Sequence, residues 1–229
     1  MPLERLVAPR AIFIDVGGPL YDDENYLVAL MRATNALRSD AGRGPVDEAP
    51  MRAIYDAVRN GDEPSIRVAF AREFLGDAGL KAELHAATRP LWVHPEGTLA
   101  DDALPFLRAV APHAVVGVLA NQEASVVDAL RRDGVGDFVS VWGVSAIVGH
   151  EKPSRELFDW CLADAGVDAT EAVHIGNRFD NDVRPAHALG LGTVWVLRGE
   201  SPDDPPAAER AVADLVVPDL RGLDRVFFP

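Results

Sequence analysis

Short apolar runs alternate with longer amphipathic stretches over most of the chain. AIFID (11–15), AVVGVLA (114–120), AVHIG (172–176), GTVWVL (192–197) and ADLVV (213–217) are brief, rich in β-branched residues and apolar at consecutive positions. This is the pattern of strands covered on both faces. FVSVW (138–142) is a weaker sixth run. Between the runs lie helical periods at 99–111, 123–134, 154–166 and 182–190, several ending at glycine as helix C-termini do. The alternation predicts an α/β fold with a Rossmann-like parallel sheet.

The interval 22–96 breaks the alternation, because it carries only helical periods: 24–42, 46–61, 65–79 and 80–92. It reads as a helical cap inserted into an α/β core made of 1–21 and 97–229, with hinges at YDDE and HPEGT (94–98). PDDPPAAE (202–209) is a polar, proline-rich loop.

Composition narrows the classes of function. Of 229 residues, 48% are hydrophobic, yet no apolar run approaches the roughly 18 needed to cross a bilayer. The start, MPLERLVAPRAIFID, has charges in and after its apolar stretch and no small-residue cleavage site, so a cytoplasmic location and no membrane partner are expected. Thirty-six acidic residues against 22 basic ones give a formal charge of -14, which opposes phosphate-backbone contacts, so no nucleic-acid partner is expected. The single cysteine, Cys161, excludes an intramolecular disulfide and reads as helix-face filler. Only Lys81 and Lys152 are lysines; the other 20 basic residues are arginines.

Candidate chemistry follows from the sheet. A parallel sheet gathers the C-terminal ends of its strands at one edge, where ligands bind, so Asp15, Ala120–Asn121 and Gly176–Asn177 should converge there. Asp15 is the candidate nucleophile, since a carboxylate can attack phosphorus or sp3 carbon and split one displacement into two. A strand-end aspartate can also simply cap a turn. Gly17 and Gly18 permit tight backbone geometry beside it, with amides that could face an anion. His174, inside AVHIG, reads as a core residue. Asp22, Asp23 and Glu24 read as a helix N-terminal charge patch, with Asp22 the carboxylate able to swing in as an acid.

FIDVGGPLYD, VGVLANQE, VGHEKPSRELF and HIGNRFDNDVRPAHALGLGTVWV together resemble the haloacid dehalogenase (HAD) superfamily with a small helical cap, and the resemblance covers nearly the whole chain. It implies a nucleophile at Asp15, a site lysine at Lys152 and an acidic partner at Asp182, with Asp180 as a weaker match. Lys152 would neutralise a phosphate or hold the nucleophile ionised, a role that suits a compact ammonium better than a planar guanidinium. Gly17, Gly18, Ala120, Asn121, Asn177 and a cap arginine, Arg32 or Arg38, would line the substrate site.

Three positions depart from the pattern. Family phosphatases usually carry an aspartate two residues after the nucleophile as general acid and base, and Gly17 stands there. Ala120 replaces a hydroxyl. Asn177 replaces an aspartate that helps hold Mg²⁺, leaving Asp15, a Gly17 carbonyl and Asp182 to hold that ion weakly, if at all, with no other cofactor implied. The dehalogenase branch needs no metal and places an asparagine near Asn177, but it also carries a tyrosine where Phe158 stands. The expected activity is therefore hydrolysis of a small molecule bearing an activated phosphate or a carbon–halogen bond. A conventional Mg²⁺-dependent phosphatase and a degenerate ligand- or partner-binding protein are the alternatives.

Overall fold

The computed structural model describes all residues except Met1 and 62–64. Six strands form one sheet: β1 (Ala11–Ile14), β2 (Val115–Ala120), β3 (Val141–Val144), β4 (Ala172–Gly176), β5 (Gly192–Val196) and β6 (Leu215–Val217). Their order is β3-β2-β1-β4-β5-β6, and every pairing is parallel. The fold is α/β and Rossmann-like, with the strand order reversing at β1.

Side-chain alternation divides the core between the two faces. Ile12 and Ile14 join Val116, Val118, Val173 and Ile175 in one apolar cluster, while Ala11 and Phe13 join Leu119, Phe158 and Cys161 in the other. Close packing demands glycine at two points. A Cβ on Gly117 would lie 2.7 Å from Phe13 Cδ1, and one on Gly143 would lie 2.1 Å from Cys161 Sγ. Cys161 is buried filler, and burial pushes its thiol up to about 12.

The weak sixth run lies three residues later than its apolar pattern suggests, because Val135–Asp137 is a 3₁₀ turn and the ladder begins only at Ser140, whose amide donates to Val116 O. The expected helix at 182–190 is also divided. A π-helical turn, Phe179–Val183, precedes the helix Arg184–Leu189 and contains Asp182. Such turns often mark sites of function.

The chain separates into two compact units: Met1–Asp22, Glu96–Ser201 and Pro205–Pro229 form one, and Asp23–Pro95 with Pro202–Asp204 the other. The second is helical, with Tyr26, Leu27, Leu30, Met51, Phe70, Phe74 and Leu84 in its core. Its third period, 65–79, is divided where the third helix, Ile66–Phe70, passes into a π turn that ends at Gly76 (φ +88°). Three residues of the proline-rich loop group with this unit, through Asp203, which binds Arg59 and exchanges hydrogen bonds with Asn60. No helix among the described residues is long and apolar enough to cross a membrane.

Candidate active site

β1 is flanked by β2 and β4, with Ile14 in register with both Val118 and Ile175. The strands therefore deliver Asp15, Ala120–Asn121 and Gly176–Asn177 to one edge of the sheet. Asp15 continues the ladder through its amide, which donates to Ile175 O at 2.8 Å. Its side chain turns off the strand end, 14% exposed, and Oδ1 accepts from the Val16 amide (2.9 Å) and from Lys152 Nζ (2.9 Å). Both of these contacts fall on Oδ1 rather than Oδ2.

Lys152 is buried between two carboxylates, with Nζ 2.9 Å from Asp15 Oδ1 and 2.6 Å from Asp182 Oδ1. A tetrahedral ammonium can direct separate protons at both, which a flat guanidinium of that reach cannot. Asn121 fixes the lysine's own backbone: its Nδ2 donates to Lys152 O (2.8 Å) and its Oδ1 accepts from Lys152 N (2.7 Å). This side chain, expected to bind substrate, thus works as a clamp on the lysine.

Asp182 is fully buried and held by three donors. Oδ1 accepts from Lys152 and from His174 Nε2 (3.1 Å), and Oδ2 accepts from the Arg178 amide (2.9 Å). Its close approach to the strand end requires glycine at 176, where a Cβ would lie 2.4 Å from Asp182 Cβ. Burial works against the charge of Asp182, but Lys152 and His174 overcome it and hold the carboxyl well below the usual range. Asp15 shares the same ammonium with fewer donors. Burial raises its carboxyl above the ordinary value, Lys152 pulls the other way, and the negative Asp182 raises it further. For Lys152, burial opposes the charge and the two carboxylates outweigh it, so its pKa is raised.

The loop after Asp15 is tight. The Gly18 amide (φ +79°) donates to Tyr21 O at 2.8 Å, so only the Gly17 amide of the glycine pair makes no hydrogen bond among the described residues. Asn177 packs on Gly18, where a Cβ would lie 2.4 Å from its Nδ2. That Nδ2 donates to Arg198 O (3.0 Å), and Asn177 O accepts from Trp195 Nε1 (2.9 Å). Arg198 in turn grips buried Asp102, which also accepts from Leu220 N. Ala120 is buried and brings no polar atom.

Other expectations change. Asp180 pairs with the Arg178 guanidinium, which also meets Glu200 at 2.8 Å, rather than with Lys152. Arg38 is engaged inside the helical unit, donating to Phe74 O (2.5 Å) and Gly44 O (2.8 Å), so it is a tie between segments of that unit. Arg32 is exposed on the helix Glu24–Asp40. His174, read from sequence as core, is indeed buried yet also touches Asp182; its one sequence signal is a polar residue in an otherwise apolar strand. Nothing in the sequence pairs Asp102 with Arg198.

The donor set does not fit a firmly held Mg²⁺. Asp182 already takes three donors, and position 177 offers a neutral amide whose nitrogen is tied to a carbonyl. Among the described residues no three His, Cys, Asp or Glu side chains are grouped so as to hold a metal ion. Hard dications favour several anionic oxygens.

The sheet order and the Asp–Lys–Asp cluster at its edge define an α/β protein with a candidate active site at the ends of its central strands. Residues 150–223 match the family model described as HAD-hydrolase-like. Over 88 residues the chain is 40% identical to the phosphoserine phosphatase of Thermus thermophilus, covering 38% of this chain and 34% of that protein. It is 34% identical over 88 residues to the glyceraldehyde 3-phosphate phosphatase of Methanopyrus kandleri, covering 38% of each. The chain thus spans little more than a third of the length of these curated relatives. Across 96% of this chain and 99% of the other, the fold superposes on a predicted phosphoglycolate phosphatase from Haemophilus somnus, with a TM-score of 0.72 at 16% identity. The chain is thus similar to HAD-like hydrolases in sequence over part of its length and in fold over nearly all of it.

Proposed function

We propose that the chain is a phosphohydrolase that transfers a phosphoryl group to Asp15 from a small molecule whose leaving group departs without a proton. The observation that carries this reading is the pairing of Asp15 Oδ1 with Lys152 Nζ at 2.9 Å beside a glycine at position 17. Oδ2 attacks phosphorus, the bond from phosphorus to the leaving oxygen breaks, and that oxygen keeps the electron pair. Water then attacks the aspartyl phosphate, the bond from phosphorus to Oδ2 breaks, and inorganic phosphate leaves with Asp15 restored. Lys152 favours the ionised form of Asp15 against the effect of burial and offsets charge on the phosphoryl oxygens. The Gly17 amide donates to one of those oxygens, and Asn121 keeps Lys152 in place.

A general acid contributes about 10²- to 10⁴-fold when the leaving group is a poor one. Acyl phosphates, whose leaving carboxylate is stable, need no such help. The phosphatase names of the relatives favour phosphate over halide. The same names support a second reading, a conventional Mg²⁺-dependent phosphatase in which another carboxylate, Asp22 first, supplies the acid. In either case the helical unit acts as the cap that selects substrate, with Arg32 a candidate contact for a substrate anion. A panel of acetyl phosphate, glycerol phosphate and 2-chloropropionate, assayed with Mg²⁺ and with EDTA, tests the proposal. It expects acetyl phosphate to be hydrolysed in both conditions and far faster than the other two. Rapid, strictly Mg²⁺-dependent hydrolysis of glycerol phosphate contradicts it and supports the second reading.

A further inference from the structure

His174 is a buried titratable group to which the proposed chemistry gives no part. It projects from β4 toward the face that carries Phe158, with ring centroids 5.5 Å apart and planes at 83°. Nε2 lies 3.1 Å from Asp182 Oδ1, the same oxygen that accepts from Lys152 Nζ at 2.6 Å. Nδ1 is buried and has no hydrogen-bond partner among the described residues. An ionised carboxylate only accepts, so the proton belongs on Nε2. A second proton on Nδ1 would be a buried donor with no acceptor, which costs more than a bare lone pair. The surroundings therefore select one tautomer, neutral, with Nε2–H aimed at Asp182.

We infer that His174 is a positioning residue, acting through Asp182 on Lys152 and so on Asp15. Two donors on Oδ1 and the Arg178 amide on Oδ2 leave the Asp182 carboxylate no freedom to rotate. Without the imidazole, Oδ1 would keep only the lysine as donor, and the ammonium could be drawn away from Asp15. This role rests on the reading of Asp15 as nucleophile, whereas the tautomer does not.

The experiment has two arms. Nitrogen-15 NMR of the natural protein should show a pyrrole-type Nε2 and a pyridine-type Nδ1 at position 174. A protonated Nδ1 or a mixture of tautomers overturns the inference, whatever the enzyme does. In the second arm, acetyl phosphate hydrolysis is followed in His174→Phe, which keeps an aromatic ring against Phe158 without the donor, and in His174→Gln, which carries an amide donor near the Nε2 position. The Phe variant should lose about tenfold or more in kcat with KM within about twofold, and the Gln variant should recover most of the loss. A folded Phe variant of full activity overturns the positioning role. If Asp15→Asn is as active as the natural protein, the nucleophile reading fails instead, and the positioning role falls with it while the tautomer result stands.

Discussion

The Nδ2 atom of Asn177 donates to the carbonyl oxygen of Arg198 at 3.0 Å, a bond that an aspartate at the same place could not make. The position where the family resemblance implies a metal ligand is here a latch between the loops after β4 and β5. The far end of that latch is fixed in turn, because the Arg198 guanidinium holds buried Asp102.

A substitution at this latch should therefore have two opposite effects. Asn177→Asp adds an anionic oxygen beside Asp15 and should tighten Mg²⁺ at least tenfold, about 1.4 kcal/mol, by calorimetry. The same change sets a carboxylate oxygen against the Arg198 carbonyl and should lower metal-free stability by about 1–3 kcal/mol. Added Mg²⁺ should raise the melting temperature of the variant and leave that of the natural protein nearly unchanged.

Gly17 bears on the second half of the proposed reaction as well as the first. No side chain at 17 can take a proton from the water that attacks the aspartyl phosphate, while an acyl phosphate needs no acid to form it. With acetyl phosphate the covalent intermediate should accumulate, visible as one added phosphoryl group in the intact mass after an acid quench. Gly17→Asp should shorten its lifetime by about tenfold or more. Turnover without any accumulation would show that another base serves.

Charge in the cluster links activity to stability. Two carboxylates share one ammonium, and Asp15 is the less compensated, with its pKa raised by burial and by Asp182 against the pull of Lys152. A raised folded-state value means that the contribution of Asp15 to stability is complete below its unfolded pKa, about 3.9, and is lost as pH rises through the folded value. At neutral pH Asp15→Asn should thus be as stable as the natural protein or more so, by about 1 kcal/mol, or 2–4 °C. Asp182 has the opposite sign, because its folded value is lowered. Its contribution is present above about pH 4 and fades as the solution is acidified, so the cost of Asp182→Asn should shrink below that pH. Activity, which needs ionised Asp15, should rise with pH through a value above the ordinary carboxylate range.

Removing the shared cation should be far more damaging than removing Asp15. Lys152→Met leaves two carboxylates without their common partner and should cost about 3–5 kcal/mol by denaturant unfolding. In a Lys152→Met, Asp15→Asn double variant part of that cost should return, and a double-mutant cycle measures the coupling directly.

The sheet was legible because most of its strands are buried on both faces and so are apolar at nearly every position, as AIFI is throughout and AVHIG is but for His174. β3 was harder to bound, since it is an edge strand whose start is set by a preceding 3₁₀ turn. Asp15 and Asn177 were legible because strand ends in a parallel sheet converge. Lys152 stood out by its rarity in an arginine-rich chain and by its setting in EKPSRELF. The uses made of Asn121 and Asn177 were not legible. An amide can accept, donate or do both, and which of these occurs depends on carbonyls brought near by tertiary contacts, at Lys152 and Arg198. The Arg178 amide and His174 behind Asp182 were hidden for a related reason: the π turn that aims Asp182 back at the sheet has no periodic signature.

The measurement that tests the central claim most directly is acetyl phosphate hydrolysis in EDTA by the natural protein and by Asp15→Asn, with the intact mass of each followed in parallel. The account predicts metal-free hydrolysis with a phosphoryl group on the natural protein, and neither hydrolysis nor added mass in the variant. Undiminished hydrolysis by Asp15→Asn, or a natural protein inactive in EDTA and restored by Mg²⁺, would contradict it.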